Sequence, residues 1–423
     1  MAREYRDSGI EWIGQIPREW SVELIGNNIK EINDKNDDSS EDNALQFKMG
    51  SIISKKGGDS KYNPESLAAY TKVKEGDIVI NGLNLSFDLI SQRVGLVREK
   101  GVITSTYLTL RPSSLLHSEF VNYLFKAYDN CKAFHGMGRG LRQILAYREL
   151  KNQKLIYPPL PEQQKIADYL DKVCGEIDEM VALQETMIEE LKAYKQSVIT
   201  EAVTKGLNPH VPMRDSGIDW IGEIPEGWKV VQTKRIVYNH LQGYYDPDGY
   251  VLSGYRLLRI TDLLSDGNLT LKNAPFVKET PNIREFILQR GDFCFARTGG
   301  AGNFGFVSED IEPAVFASYL IRFRFSGQNN NYLRYYFLSN SFINEVNSLI
   351  HGGVNKNIHA ENIKETHLPI PPIIEQQQIA SYLDTKCAEI DALIAIKQAK
   401  IEELKEYKKS VIYEYVTGKK EVV

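Results

Sequence analysis

Apolar residues recur between positions 162 and 203 at alternating spacings of three and four: Ile166, Leu170, Val173, Ile177, Met180, Met187, Leu191, Tyr194 and Val198, with Gln184 filling the gap. That is the heptad seam of a coiled-coil helix. A second stretch keeps the same phase at Ile379, Leu383, Ile390, Leu393, Leu404, Tyr407 and Val411, and turns polar near its middle at Lys397 and Lys400. Prolines stand at the head of each stretch (Pro158-Pro159-Leu160-Pro161 and Pro371-Pro372), where they suit a helix start. A helix from Glu162 to Val203 would run ~63 Å. Such a helix leaves its seam bare, so the two are expected to pair, and in a duplicated chain closing on a pseudo-twofold to pair antiparallel. The alternative, in which each helix packs only on its own domain, stays open at this point.

The remaining pattern is mixed. Asp77-Ile78-Val79-Ile80 and Phe293-Cys294-Phe295-Ala296 predict short apolar strands, each introduced by a Gly-Asp turn. Amphipathic helices are expected to start near Phe120 and Tyr332. Residues 33–43 read as a polar loop and residues 204–213 as a linker.

The chain is written twice. Residues 6–20 recur at 214–228 with 11 of 15 positions identical, and residues 158–204 recur at 371–417 with 28 of 47 identical. Between these blocks the copies diverge, apart from short echoes such as Thr106-Tyr107-Leu108 against Ser318-Tyr319-Leu320. The order is variable, constant, variable, constant. The expected architecture is α+β: two mixed α/β domains at 1–157 and 206–370, joined by helical regions at 158–205 and 371–423 that form an antiparallel coiled coil.

Charge follows the same division. The chain of 423 residues has a net charge of −5, yet residues 161–204 carry ten acids against four bases, and residues 21–157 carry nineteen bases against sixteen acids. Acidity belongs to the helical regions and a slight positive excess to the variable domains, a weak electrostatic footprint by itself. The four cysteines are far apart and the start of the chain has no apolar signal core. Both features fit a reducing cytoplasm.

Catalytic and metal-binding constellations are not expected. Gly300 to Gly305 spells G-x-G-x-x-G, but a strand rather than a helix is expected after it, which argues against a dinucleotide site. A glycine-rich surface loop with Arg297 and Thr298 at its base fits better. Such a loop approaches a phosphate backbone closely. Two further segments hold equivalent places before the proline blocks: His135 to Gln143, with Arg139, Arg142 and Gln143, and His351 to Asn357, with Asn355, Lys356 and Asn357. Arginine, asparagine and glutamine make paired hydrogen bonds to base edges, and lysine binds phosphate. These residues are the candidate DNA contacts, with a bland polar turn as the alternative. The acidic, duplicated helix faces, marked by Glu189, Glu190, Glu402 and Glu403, are the candidate partner-binding surfaces.

Asp-Ser-Gly-Ile-(Glu/Asp)-Trp-Ile-Gly-x-Ile-Pro, followed later by Pro-Pro-x-x-Glu-Gln-Gln-x-Ile-Ala, resembles the specificity subunit of type I restriction-modification systems over the whole chain. The resemblance implies a non-catalytic chain that binds double-stranded DNA and docks two methyltransferase (M) subunits. Those partners carry S-adenosylmethionine. In complexes that also cut DNA, two restriction (R) subunits use ATP and magnesium. No cofactor, metal or membrane is expected for the chain itself. A coiled-coil adaptor that never touches DNA is the competing reading.

Overall fold

The computed structural model describes residues 3–55, 67–85, 92–137, 143–245, 249–298, 302–349 and 357–422. The chain divides into two compact units, residues 1–185 with 399–423 and residues 186–398. Each unit holds one variable domain and a half of each long helix, so both unit boundaries fall inside helices.

In the first unit a four-stranded antiparallel sheet has the spatial order Ile29–Glu31, Leu108–Pro112, Ile78–Ile80, Val94–Leu96. The second unit repeats this order with Val237–Gln242, Leu320–Phe325, Phe293–Ala296 and Phe304–Phe306. Side chains alternate across a strand. Ile78 and Ile80 therefore enter one core and Val79 another. Likewise Phe293 and Phe295 enter one core, Cys294 and Ala296 a second. Both faces are covered, which is why these strands read as continuous apolar runs. The strand expected after the glycine-rich loop is present, but it begins at Phe304 and contains Gly305.

The Gly-Asp turns are locked identically. Gly76 and Gly291 have φ of +85° and +95°, a region open to glycine. The next residue, Asp77 or Asp292, is fully buried as a carboxylate. Asp77 accepts hydrogen bonds from Arg111 at 2.6 and 2.7 Å and from the Lys74 N–H at 2.9 Å. Asp292 accepts from Arg324 at 2.6 and 3.1 Å and from the Gln289 N–H at 2.9 Å. A paired fork of this kind compensates the desolvation of a buried carboxylate.

The repeated Asp-Ser-Gly-Ile motif is structural. Asp7 and Asp215 accept the N–H of Gly9 and Gly217, while Ser8 and Ser216 accept the N–H of Ile10 and Ile218. These bonds shape a loop between the paired strands Tyr5–Asp7 and Gln15–Pro17, and its twin between Met213–Asp215 and Glu223–Pro225. Trp20 is buried in a core that includes Val411, Ile412 and Val416. Trp228 is buried with Ile199, Ala202 and Val203. In each unit, then, the motif seals the C-terminal end of a long helix.

The long helices span Leu160–Lys205 and Ile373–Val416. In the first unit Tyr169 hydrogen-bonds Tyr415 at 3.1 Å and Lys408 reaches Asp178 at 2.7 Å. In the second unit Lys195 reaches Asp391 at 2.7 Å, and Gly206, just past the first helix, lies beside Glu375. Within each unit the two helices run antiparallel, as expected.

The seam itself needs correction. Leu170, Ile177, Gln184 and Leu191 are on it, but their companions are Cys174, Val181, Ile188 and Lys195, not Val173, Met180, Met187 and Tyr194. The second helix repeats the shift, with Ile394, Ile401 and Lys408 replacing Leu393, Lys400 and Tyr407. Apolar residues flank the shared line on both sides, so spacing alone does not choose between them. Packing takes the compact Cys174, Val181 and Ile188, and seats Lys195 and Lys408 where each meets an aspartate. Met180 and Tyr194 stay about half exposed, at 46% and 51%.

Candidate nucleic-acid interface

In each copy the segment before the proline block is joined by a backbone bond to the end of the strand that follows the Gly-Asp turn. In the first unit the Leu145 N–H donates to the Gly82 carbonyl at 2.9 Å, and Leu85 N–H to Gln143 O at 3.2 Å. In the second, the Ile358 N–H donates to the Arg297 carbonyl at 2.8 Å. Gly82 and Arg297 each stand five residues after the buried aspartate of the Gly-Asp turn. Leu145 and Ile358 are 213 positions apart, the shift of the helical repeat. A Cβ on Gly82 would lie 2.8 Å from the Leu145 carbonyl oxygen, so this approach needs glycine. In the second unit an arginine, Arg297, stands in the equivalent place and keeps the backbone bond.

Of the candidate DNA contacts, Arg297 and Thr298 sit half-buried at the end of strand Phe293–Ala296, and Asn357 is exposed next to Ile358. Gln143 is half-buried, with φ of +42°. Arg139, Arg142, Asn355 and Lys356 lie outside the described residues.

The supports of these loops were not singled out from the sequence. The Arg93 guanidinium is buried and donates to the carbonyls of Asn81 at 3.0 Å and Leu83 at 2.7 Å. Its own N–H donates at 2.8 Å to Asp129, whose carboxyl pKa is raised by burial. Gln163 accepts from the His117 N–H at 2.8 Å and donates to the carbonyls of Leu115 and Pro158. Gln376 repeats the arrangement with the Asn329 N–H, Gln328 and the Pro371 carbonyl. The middle glutamine of each Glu-Gln-Gln thus bolts a domain helix to the proline turn. Its signal was present: the triplet recurs in both copies at the repeat shift, although only the middle glutamine of each is buried.

On the helices, Glu189, Glu190, Glu402 and Glu403 are exposed. Glu189, Glu402 and Glu403 pair with Lys192, Lys405 and Lys400 of their own helices at 2.8, 3.0 and 2.9 Å. Alongside them, exposed apolar residues recur at the repeat shift: Met180 with Leu393, Leu183 with Ile396, Tyr194 with Tyr407. Among the described residues no cluster of three metal-ligating side chains occurs, and no helix is long and apolar enough to cross a membrane.

The chain is similar to known proteins along nearly its whole length. It is 25% identical over 417 residues to the type I restriction enzyme MjaVIII specificity subunit of Methanocaldococcus jannaschii, covering 96% of this chain and 94% of that one. It is 24% identical over 305 residues to the EcoKI specificity subunit of Escherichia coli, covering 67% of this chain and 61% of that one. In fold it is similar to a chain from a structural study of complex assembly and conformational transition of the type I R-M system, with a TM-score of 0.70 at 15% identity over 95% of this chain and 98% of that one. The HsdS subunit from Thermoanaerobacter tengcongensis gives 0.50 at 15% identity, again over 95% and 98%. The family described as the type I restriction modification DNA specificity domain matches residues 71–193 and 266–406. Two matches, one on each copy of the repeat and together more than half of the sequence, place the chain in the type I restriction-modification DNA specificity family.

Proposed function

We propose that the chain gives a type I restriction-modification complex its DNA sequence specificity, each variable domain reading one half of a bipartite, asymmetric target. The carrying observation is the repeated bond between Leu145 and Gly82 and between Ile358 and Arg297. The same backbone arrangement presents different side chains in the two units, which suits two different half-sites. Phosphate and base contacts then fall to Gln143 in one unit and to Arg297, Thr298 and Asn357 in the other, with Arg139, Arg142, Asn355 and Lys356 assigned from the sequence alone.

In this reading the chain performs no chemistry. Two methyltransferase subunits dock on the long helices and bring S-adenosylmethionine, and two restriction subunits bring ATP and magnesium where cutting occurs. The duplicated pairs Met180 with Leu393 and Tyr194 with Tyr407 supply two equivalent apolar footings beside the acidic faces, which fits two copies of one partner. The complex would work in the cytoplasm, where its substrate DNA is.

The test is methylation mapping. The purified chain with S-adenosylmethionine is expected to methylate nothing. Coexpression with its methyltransferase subunit is expected to give methylated adenines in one split motif. Methyl transfer by the chain alone, or a single uninterrupted motif, would refute the proposal.

A further inference from the structure

The sheet of the second unit has two unlike ends. At one, Asp292 pairs with Arg324, and the following segment is fixed to the helix start through Asn329 and Gln376. At the other, strands Val237–Gln242 and Phe293–Ala296 finish and Leu320–Phe325 begins. The register sets this, with Gln242 opposite Ile321 and Ala296 opposite Leu320.

We infer that Tyr319 and Gln242, at this second end, are base-reading residues acting beside Arg297. The inference rests on the proposal that the chain binds DNA and names part of the surface that does so. Tyr319 is 61% exposed. Its backbone is nevertheless held on several sides: its carbonyl accepts the Arg297 N–H at 2.9 Å, Leu320 N–H donates to Ala317 at 2.8 Å, and Gly243 N–H donates to Leu320 at 2.9 Å. Gly243 is needed for that crossing, because a Cβ there would sit 2.0 Å from the Ala317 carbonyl oxygen. A large ring left in water on a fixed backbone has little ordering left to lose when a partner covers it. Aromatic faces stack on bases, and rigid apolar side chains wedge between base steps.

Gln242 is exposed, and its amide donates to the Ser318 carbonyl at a long 3.4 Å. That bond is weak. Breaking it frees the amide for the paired contact that glutamine makes with an adenine edge. The equivalent tyrosine in the first unit is differently used. Tyr107 is half-buried, its ring 5.8 Å from that of Phe47. The two units therefore present unlike tips on one scaffold, as an asymmetric target requires.

The experiment uses the complex of the full chain with its methyltransferase subunit. The wild-type motif is mapped first, and short duplexes are made with the motif intact, with each half altered in turn, and with unrelated sequence. Tyr319→Ala is expected to weaken binding of the intact duplex about 5- to 150-fold, the loss typical of one stacked base. Gln242→Ala is expected to relax one position of the same half-site, and Tyr319→Phe to keep near wild-type binding. The other half-site should be read unchanged. Unaltered affinity and motif in both alanine variants overturns the inference, as does an equal loss on every duplex. A wild-type complex that binds no duplex would instead overturn the DNA-binding proposal itself. Circular dichroism melts matching the wild type establish that the variants fold.

Discussion

The Tyr123 hydroxyl donates a 2.6 Å hydrogen bond to the Asp171 carboxylate, joining a helix of the first variable domain to the first long helix. Tyr335 makes the same bond to Asp384 at 2.7 Å in the second unit. Each long helix is thus fastened to its domain by a phenol–carboxylate pair as well as by apolar packing.

Removing that bond should loosen the attachment without unfolding the domain. A hydrogen bond to a charged group contributes ~1.5–3 kcal/mol, and partial exposure of Asp171 puts the expectation for Tyr123→Phe at the low end. Asp171→Asn should cost a similar amount. A urea-denaturation double-mutant cycle on this pair should show strongly non-additive losses.

The same tyrosines contribute to an alkaline limit. Burial, reinforced by the neighbouring aspartate, raises both phenols above their ordinary value. In the folded chain they stay protonated where the unfolded chain has begun to ionise, above pH ~10. Their contribution to stability is therefore full below that pH and falls as pH rises through it. Denaturation midpoints should drop with pH in that window, and the drop should be shallower for the variant carrying both Tyr123→Phe and Tyr335→Phe.

Gln163→Ala should strand the His117 N–H and two carbonyls, at a cost of about 1–3 kcal/mol. The readout is faster hydrogen exchange at the His117 amide, with Gln376→Ala acting likewise at Asn329. Exchange elsewhere in the sheet should change less.

Assembly should depend more on the apolar footings than on the acids. Glu189, Glu402 and Glu403 are engaged by lysines of their own helices, and exposed ion pairs contribute ~0–1 kcal/mol. Replacing Met180, Tyr194, Leu393 and Tyr407 by serine is expected to lower the yield of methyltransferase subunit in pull-downs. Charge reversal at Glu189, Glu190, Glu402 and Glu403 should weaken it less.

Arg297→Ala should reduce affinity by ~1–3 kcal/mol and relax one position of one half-site if the side chain meets a base edge. A phosphate contact would weaken all sequences alike and flatten the salt dependence. Binding measured over a range of salt concentrations separates the two.

The sequence alone determined the duplication, the two long helices and the strands at Ile78–Ile80 and Phe293–Ala296, because each rests on a local period or on a repeat that needs no partner to be read. It also determined that Gly76-Asp77 and Gly291-Asp292 are turns. It did not show that their aspartates meet Arg111 and Arg324, more than thirty positions away, since nothing local encodes that pairing. The helix seam was legible only to within one side. Val173 and Cys174, Met180 and Val181, and Met187 and Ile188 are adjacent apolar pairs, and only the packed partner helix chooses which member is buried. Lys195 and Lys408 were invisible as seam residues because an ion pair, not apolarity, puts them there. The surface at Tyr319 was likewise decided by tertiary structure. Three strand ends and a distant loop meet there only after the sheet has formed, and neither exposure nor a fixed backbone can be counted from spacing.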